Sequence, residues 1–345
     1  MRVTAVTCVK NEGPFLLEWI AFNRVIGVTD FLFYSNDCTD GTDALLDALA
    51  TRGIVTHLPN PARGRNYQME ALKDARRQKV VRQADWLWVA DVDEFLNIHT
   101  GRGTIAELIQ ACGDPQAISV HFQFFANNGI ETFEDRPVIE QFTHSHNPDI
   151  WTSETAIEVK TLIRKDFPVK YLGAHRPFLK KNIAQIEHLR WTDGSGRQVP
   201  DAFRDAARKI RLRKFPAAGA RKFATLNHYA LRSLDSYLVK NDRGDVNREN
   251  RAFDTTYWRE RNDPAYEDLS IQRYLPRLKR EMDRLLSDAD IARLHGECVR
   301  LHQARRDALL AGPAYRAMRE QLRTAPTIPP QEEALLRLLD GKDAA

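Results

Sequence analysis

Residues 86–96 read WLWVADVDEFL: an apolar run from Trp86 to Ala90 stops at three carboxylates, Asp91, Asp93 and Glu94, and turns apolar again at Phe95. Carboxylates two apart sit on the same side of an extended backbone. At the end of a strand both can turn toward one cation. Hard divalent ions such as Mg2+ or Mn2+ take oxygen ligands and are often held by one or two carboxylates plus substrate phosphate oxygens. An ion there would neutralise a diphosphate leaving group. The rival is a solvated acidic turn, and the long apolar lead-in argues against it.

That chemistry needs a strand ending at a ligand-binding edge, and the surrounding pattern supplies one. Val3 to Val9 reads as a first strand, ending in the loop signal Lys10-Asn11-Glu12-Gly13-Pro14. Phe15 to Ile26 has apolar positions at helical spacing and closes near Gly27. Phe31 to Tyr34 is a second strand, followed by the polar run Ser35 to Thr42 and a helix over Ala44 to Ala50, with Thr42 or Asp43 as its N-cap. Ile54 to Leu58 reads as a third strand, Tyr67 to Gln83 as a helix, and Trp86 to Val89 as a fourth strand.

Strand–helix alternation with short connections implies an α/β fold: a mostly parallel sheet flanked by helices. Ligands of such sheets bind beyond the carboxyl ends of the strands. Three polar clusters fall at that edge: Lys10–Glu12, Ser35–Asp40 and Asp91–Glu94. From Ala117 the texture changes. Ile118 to Phe125 and Thr161 to Arg164 read as strands, separated by loops rich in Asn, His and Trp, and Leu234 to Val239 is helical. Beyond about Tyr257 the pattern is helical and Arg-rich, broken by Pro326, Pro329 and Pro330 before a last short helix.

The totals exclude several classes. With 345 residues, 43% hydrophobic and 28% charged, the chain is an ordinary globular protein. A net charge of +4 is small for this length and does not point to nucleic acid. Cys8, Cys38, Cys112 and Cys298 are far apart and form no metal-ligand spacing, which fits a reducing cytoplasm. There is no signal-peptide pattern, and no stretch approaches the roughly 20 apolar residues of a membrane span. Membrane contact, if made, is therefore expected to be peripheral, at the inner face.

KNEGPFLLEWIAFNRVIGVTDFLFYSNDCTDGTDALL, then WLWVADVDEFL, then Asn227-His228-Tyr229, together resemble the nucleotide-sugar glycosyltransferases of the GT-A (Rossmann-like) fold. The likeness is to the bacterial branch of glycosyltransferase family 2 that is related to family 92, and it runs from about Val3 to Gly244. The order W-x-S-E at 151–154, K-x-x-x-R at 160–164 and G-x-H-x-P at 173–177 is also similar to that branch. The resemblance implies a GT-A domain over 1–250, with a nucleotide-binding half to about 115 and an acceptor half after it. Residues 251–345 would be a helical C-terminal appendage.

Carried over by position, the resemblance implies that Thr7, Asn11, Glu12, Asn36 and Asp37 hold the nucleotide, with Arg65 and Gln68 facing the donor. Asp91 and Asp93 become the metal and diphosphate motif, with Glu94 holding their loop in place. His228 supplies a third ligand to Mn2+ or Mg2+. Lys240 and Arg243 stabilise the departing diphosphate. Glu154 is the candidate base that takes the proton of the acceptor hydroxyl, with Asp149 in reserve. The implied reaction is transfer of a sugar from a nucleotide-sugar, a UDP-sugar by expectation, to a glycan or lipid-linked acceptor, with inversion, in surface polysaccharide or glycoconjugate synthesis.

Plainer readings stay open for several of these residues. Asn36, Asp37 and Asp40 readily build turns, Glu154 can cap a helix or pair with Lys160, and Lys240 and Arg243 can be solvated helix-end charges. The basic run Arg208 to Lys214 reads as a solvated helix face. Two rival functions also stand: a metal-dependent phosphohydrolase and a non-catalytic nucleotide-sugar-binding protein. The first would need its Asp-x-Asp after the first strand, where this chain has Lys10-Asn11-Glu12.

Overall fold

The computed structural model describes residues 1–64, 66–148, 157–179, 188–204, 212–244 and 253–341. Its centre is the strand β1 (Val3–Val9), whose side chains alternate between two apolar layers: Val3, Ala5 and Val9 enter one, Val6 and Cys8 the other. A strand buried on both faces must belong to the middle of a covered sheet. It does. β1 lies between β2 (Asp30–Ser35) and β4 (Trp86–Val89), with β3 (Thr56–Pro59) outside β2, all parallel.

The sheet continues past β4 in mixed directions. β8 (Val159–Arg164) runs antiparallel between β4 and β6 (Ala117–Phe124), and β12 (Ala224–His228) adds parallel to β6. The edge strand β5 (Glu94–Ile98) is antiparallel to β12, and β11 (Trp191–Asp193) pairs with the start of β6, making nine strands in all. Four short strands, β7 (His144–Ser145), β9 (Val169–Tyr171), β10 (Phe178–Leu179) and β13 (Tyr266–Glu267), form two separate pairs. Mostly parallel strands flanked by helices are the α/β architecture the sequence predicts.

Helix α1 (Gly13–Ile26) is buried on nearly every side. Pro14 suits its first turn, and Gly27 ends it at φ 105°, a left-handed conformation that favours glycine. The sheet covers one side. On the other lie α9 (Leu275–Leu286) and α10 (Ala289–Ala311), whose Leu278, Leu285, Ile291 and Cys298 enter the same core. A Cβ at Gly13 would stand 2.6 Å from Cys298 Sγ, so the approach of α10 depends on that glycine. The remaining helices are α2 (Thr42–Thr51), α3 (Tyr67–Ala75), α4 (Lys79–Arg82), α5 (Ile105–Ala111), α6 (Val138–Gln141), α7 (Leu234–Arg243), α8 (Thr255–Arg259), α11 (Pro313–Arg323) and α12 (Pro330–Leu339).

Local details differ from expectation for identifiable reasons. Helix α2 is capped neither by Thr42 nor by Asp43. Gly41 is the N-cap at φ 85°, and Asp40 accepts from the Thr42 N–H at 3.0 Å and from the Gly13 N–H at 3.0 Å. The helix expected from Tyr67 to Gln83 is two pieces, because Arg77 and Gln78 bond three residues back, to Asp74 and Ala75, and tighten the chain out of α geometry. No helix among the described residues is long and apolar enough to cross a membrane.

Candidate functional site

The carboxylate triplet sits at the carboxyl edge of the sheet, but Asp91 and Asp93 lie in a turn and only Glu94 is on a strand. After β4 the chain turns within four residues, with the Glu94 N–H bonded to the Asp91 carbonyl at 3.0 Å, and reverses into β5. The turn separates Asp91 from Asp93. Asp91, with a side chain 40% exposed, accepts from Lys160 Nζ at 2.8 Å. Asp93 is buried, with Lys240 Nζ 2.8 Å from Oδ2 and His228 Nε2 3.4 Å from Oδ1.

Strand register explains why His228 is there. β5 pairs with β12 so that Glu94 stands directly opposite His228, and the Tyr229 N–H bonds the Asp93 carbonyl at 2.8 Å. Ligand atoms of Asp93, Glu94 and His228 all lie within 4.8 Å of one another. Glu94 is thus closer to His228 and Asp93 than a residue that merely steadies the loop needs to be. It also accepts from the Asp91 N–H at 3.0 Å and lies 3.1 Å from Lys160 Nζ. Lys160, on β8, is fully buried between these carboxylates.

The electrostatics of this group are uneven. Burial would raise the Asp93 carboxyl, but the Lys240 ammonium and the hydrogen bond with His228 outweigh it and hold it well below the usual carboxylate range. Burial drives Glu94 the other way, well above that range, with Asp91 and Asp93 adding to the effect against Lys160. His228 is pushed down by burial, so its imidazole is neutral, the form that ligates metals. Its Nδ1 is buried with no hydrogen-bond partner. Two carboxylates and a neutral imidazole suit a divalent ion such as Mn2+. Burial makes Glu94 hold a proton in the metal-free protein, and a divalent ion would take that proton's place on the carboxylate, so the residues present fit the group.

These residues line a cleft of about 720 Å³. Of the residues expected at the site, Glu12, Gln68, Asp91, Asp93, His228, Lys240 and Arg243 line it. Thr7, Asn11, Asn36 and Asp37 are not among the described residues that do. Asn11 instead ties two loops together: its side chain accepts from the Thr39 N–H at 2.7 Å and donates to Thr39 Oγ1 at 3.1 Å. Asn36 is buried and Asp37 is exposed at φ 50°. Arg65, Asp149 and Glu154 lie outside the described residues.

Glu12 is a second charged node in the cleft. Arg232 Nη1 lies 2.8 Å from its Oε2 and Arg243 Nη1 2.6 Å from its Oε1. Arg243 also donates to the carbonyl of Asn11 at 3.1 Å and to that of Lys10, so α7 is clamped to the loop after β1. Lys240 and Arg243, three apart on one face of α7, thereby serve different carboxylates. Sequence reading passed over Lys160 as a partner of the triplet, and over Arg232. The K-x-x-x-R spacing marks Lys160, but only the antiparallel insertion of β8 beside β4 brings it to Asp91.

The sequence profile of glycosyltransferase family 92 matches residues 4–213, more than half of the chain. The chain belongs to glycosyltransferase family 92. A family 92 protein of Ricinus communis is 28% identical over 101 residues, which span 28% of this chain and 17% of that protein. Among solved structures, S. aureus TarS 1–349 is 12% identical with a TM-score of 0.33, covering 94% of this chain and 90% of that one. Its complex with UDP-GlcNAc is 13% identical, also at 0.33. HddC from Yersinia pseudotuberculosis is 10% identical at 0.28, over 48% of this chain and 77% of that one. The family 92 match includes Asp91, Asp93, Glu94 and Lys160 and stops short of His228, Lys240 and Arg243.

Proposed function

We propose that this family 92 protein is a metal-dependent glycosyltransferase that moves a sugar from a nucleotide-sugar, a UDP-sugar, to an acceptor hydroxyl, with inversion. One observation carries the reading: Asp93, Glu94 and His228 converge at the carboxyl edge of a GT-A-like sheet, inside a cleft large enough for a nucleotide-sugar. Asp93, Glu94 and His228 would hold Mn2+ or Mg2+, with Asp91 beside them facing the donor. The ion, when bound, neutralises charge on the donor's diphosphate.

The chain's own residues do the rest. Lys160 holds Asp91 and Glu94 in place, and the Arg232–Glu12–Arg243 clamp fixes α7 so that Lys240 faces the leaving group. Gln68 and the loop after β1, which lines the cleft with Lys10 and Glu12, are assigned to the nucleotide. Glu154, with Asp149 in reserve, is assigned the acceptor proton. The acceptor is a glycan or a lipid-linked sugar, met in the cytoplasm or at the inner face of the membrane. An assay for UDP release from UDP-sugars with Mn2+ tests the reading, with Glu154→Gln as the companion variant. Release that needs Mn2+ and drops at least about a hundredfold in the variant supports it. Binding without any release would make the protein a nucleotide-sugar-binding scaffold.

A further inference from the structure

Among the described residues four arginines are buried, and three have a carboxylate. Arg232 pairs with Glu12, Arg261 with Glu260 at 2.9 Å and Arg204 with Asp201 at 2.8 Å. Arg176, only 2% exposed, has none. Its Nη1 donates to the Leu212 carbonyl at 2.7 Å, and its guanidinium lies 3.9 Å from the Phe203 ring centroid and 4.8 Å from that of Trp191. Nε and Nη2 are buried with no hydrogen-bond partner. Ring contacts recover only part of what burying an unpaired ion costs. Burial draws the Arg176 pKa down to about 9.

Arg176 lines the cleft, in the same segment as Gly173, Ala174 and His175. The two orphaned atoms, Nε and Nη2, form the edge of a guanidinium whose N–H groups run side by side and match the two oxygens of an oxyacid. We propose that this edge receives an anionic oxyacid group of the substrate, a carboxylate or a phosphate, separate from the donor's diphosphate. The separation follows from the contacts: Arg176 is held by the Leu212 carbonyl and the rings of Phe203 and Trp191, whereas Asp91, Asp93 and Glu94 are held by Lys160, Lys240 and His228, and the two groups share no partner among the described residues. The inference rests on the cleft being the substrate site and narrows the substrate to one bearing a second negative charge. Because both atoms are closed from solvent, the side chain must turn out from between the rings as the anion arrives.

The test is calorimetric titration of the full-length chain with D-glucuronate, inorganic phosphate and neutral D-glucose, repeated on Arg176→Met and Arg176→Lys. Wild type should bind at least one anion more tightly than glucose, and the tighter anion tells carboxylate from phosphate. Arg176→Met, checked for a native melting transition, should weaken that anion about tenfold or more, as expected for lost hydrogen bonds to a charged group. Arg176→Lys should fall between, because a point charge cannot reproduce the fork. Equal binding of all three ligands by wild type overturns the proposal, as does a folded Arg176→Met that binds like wild type. Should Arg176→Met not fold, Arg176→Lys decides: wild-type affinity there also overturns it. A separate wild-type titration with UDP and Mn2+ reports on the nucleotide-sugar reading, so the two can fail independently.

Discussion

Glu12 and the Asp93–Glu94 pair are both buried acidic nodes on the floor of one cleft, and both are touched by cations from α7. They differ in what is left over. Both oxygens of Glu12 are taken by guanidinium groups, so two positive charges meet one negative and the node is closed. At the other node Lys240 takes only Oδ2 of Asp93, while Oδ1 faces a neutral imidazole and Glu94, beside Lys160 at 3.1 Å, is driven by burial to keep a proton that a bound cation would displace. A closed node is a structural clamp. An acidic node with oxygen and nitrogen donors in excess is a place for a cation.

The largest effect expected from breaking this contrast is at the clamp. Glu12→Ala leaves Arg232 and Arg243 buried without a counter-ion, and removing one partner of a buried pair costs about 3–5 kcal/mol. Chemical denaturation should show that loss, and a smaller one for Asp93→Ala, which should still fold because Lys240 keeps its bond to the Ala230 carbonyl at 2.8 Å. Next comes the binding effect of Asp93→Ala: metal-dependent UDP binding should weaken by about a hundredfold or more, worth about 2.8 kcal/mol. Unchanged binding in that variant would remove Asp93 from the site.

The smallest effect is one of pH, and its sign separates the two members of the acidic node. Glu94 has its folded pKa raised above the unfolded value, so between the two the folded state holds a proton that the unfolded state has lost. Its contribution to stability therefore falls as pH rises through that window, by up to about 1.4 kcal/mol per pH unit. Asp93, with its folded pKa depressed, contributes stability above the unfolded value that is lost only as pH falls toward the folded one. Glu94→Gln should flatten the first slope and leave the second. A stability profile unchanged by Glu94→Gln would contradict the assignment of a retained proton to Glu94.

How much of this was legible beforehand depended on the distance over which the signal acts. β1 and β4 appear with the boundaries read from the alternation of one and the apolar run of the other, because burial of a central strand is written into consecutive residues. The separation of Asp91 from Asp93 was not legible, since two-residue spacing has one meaning on a strand and another in a four-residue turn. Nor was β5, whose role appears only through pairing with a strand more than a hundred residues later. His228 stood out as a residue type beside a plausible motif, but its place opposite Glu94 is a property of register. Arg176 carried no signal as a lone arginine; that it lacks a carboxylate among the described residues is a property of the folded chain.

The most direct measurement is a calorimetric titration of the purified protein with UDP, with and without Mn2+. Binding that appears only with the ion is the expected result, and it would justify screening UDP-sugars as donors. UDP bound equally well without the ion, or not bound under either condition, would contradict a cation-holding nucleotide-sugar site at Asp93, Glu94 and His228.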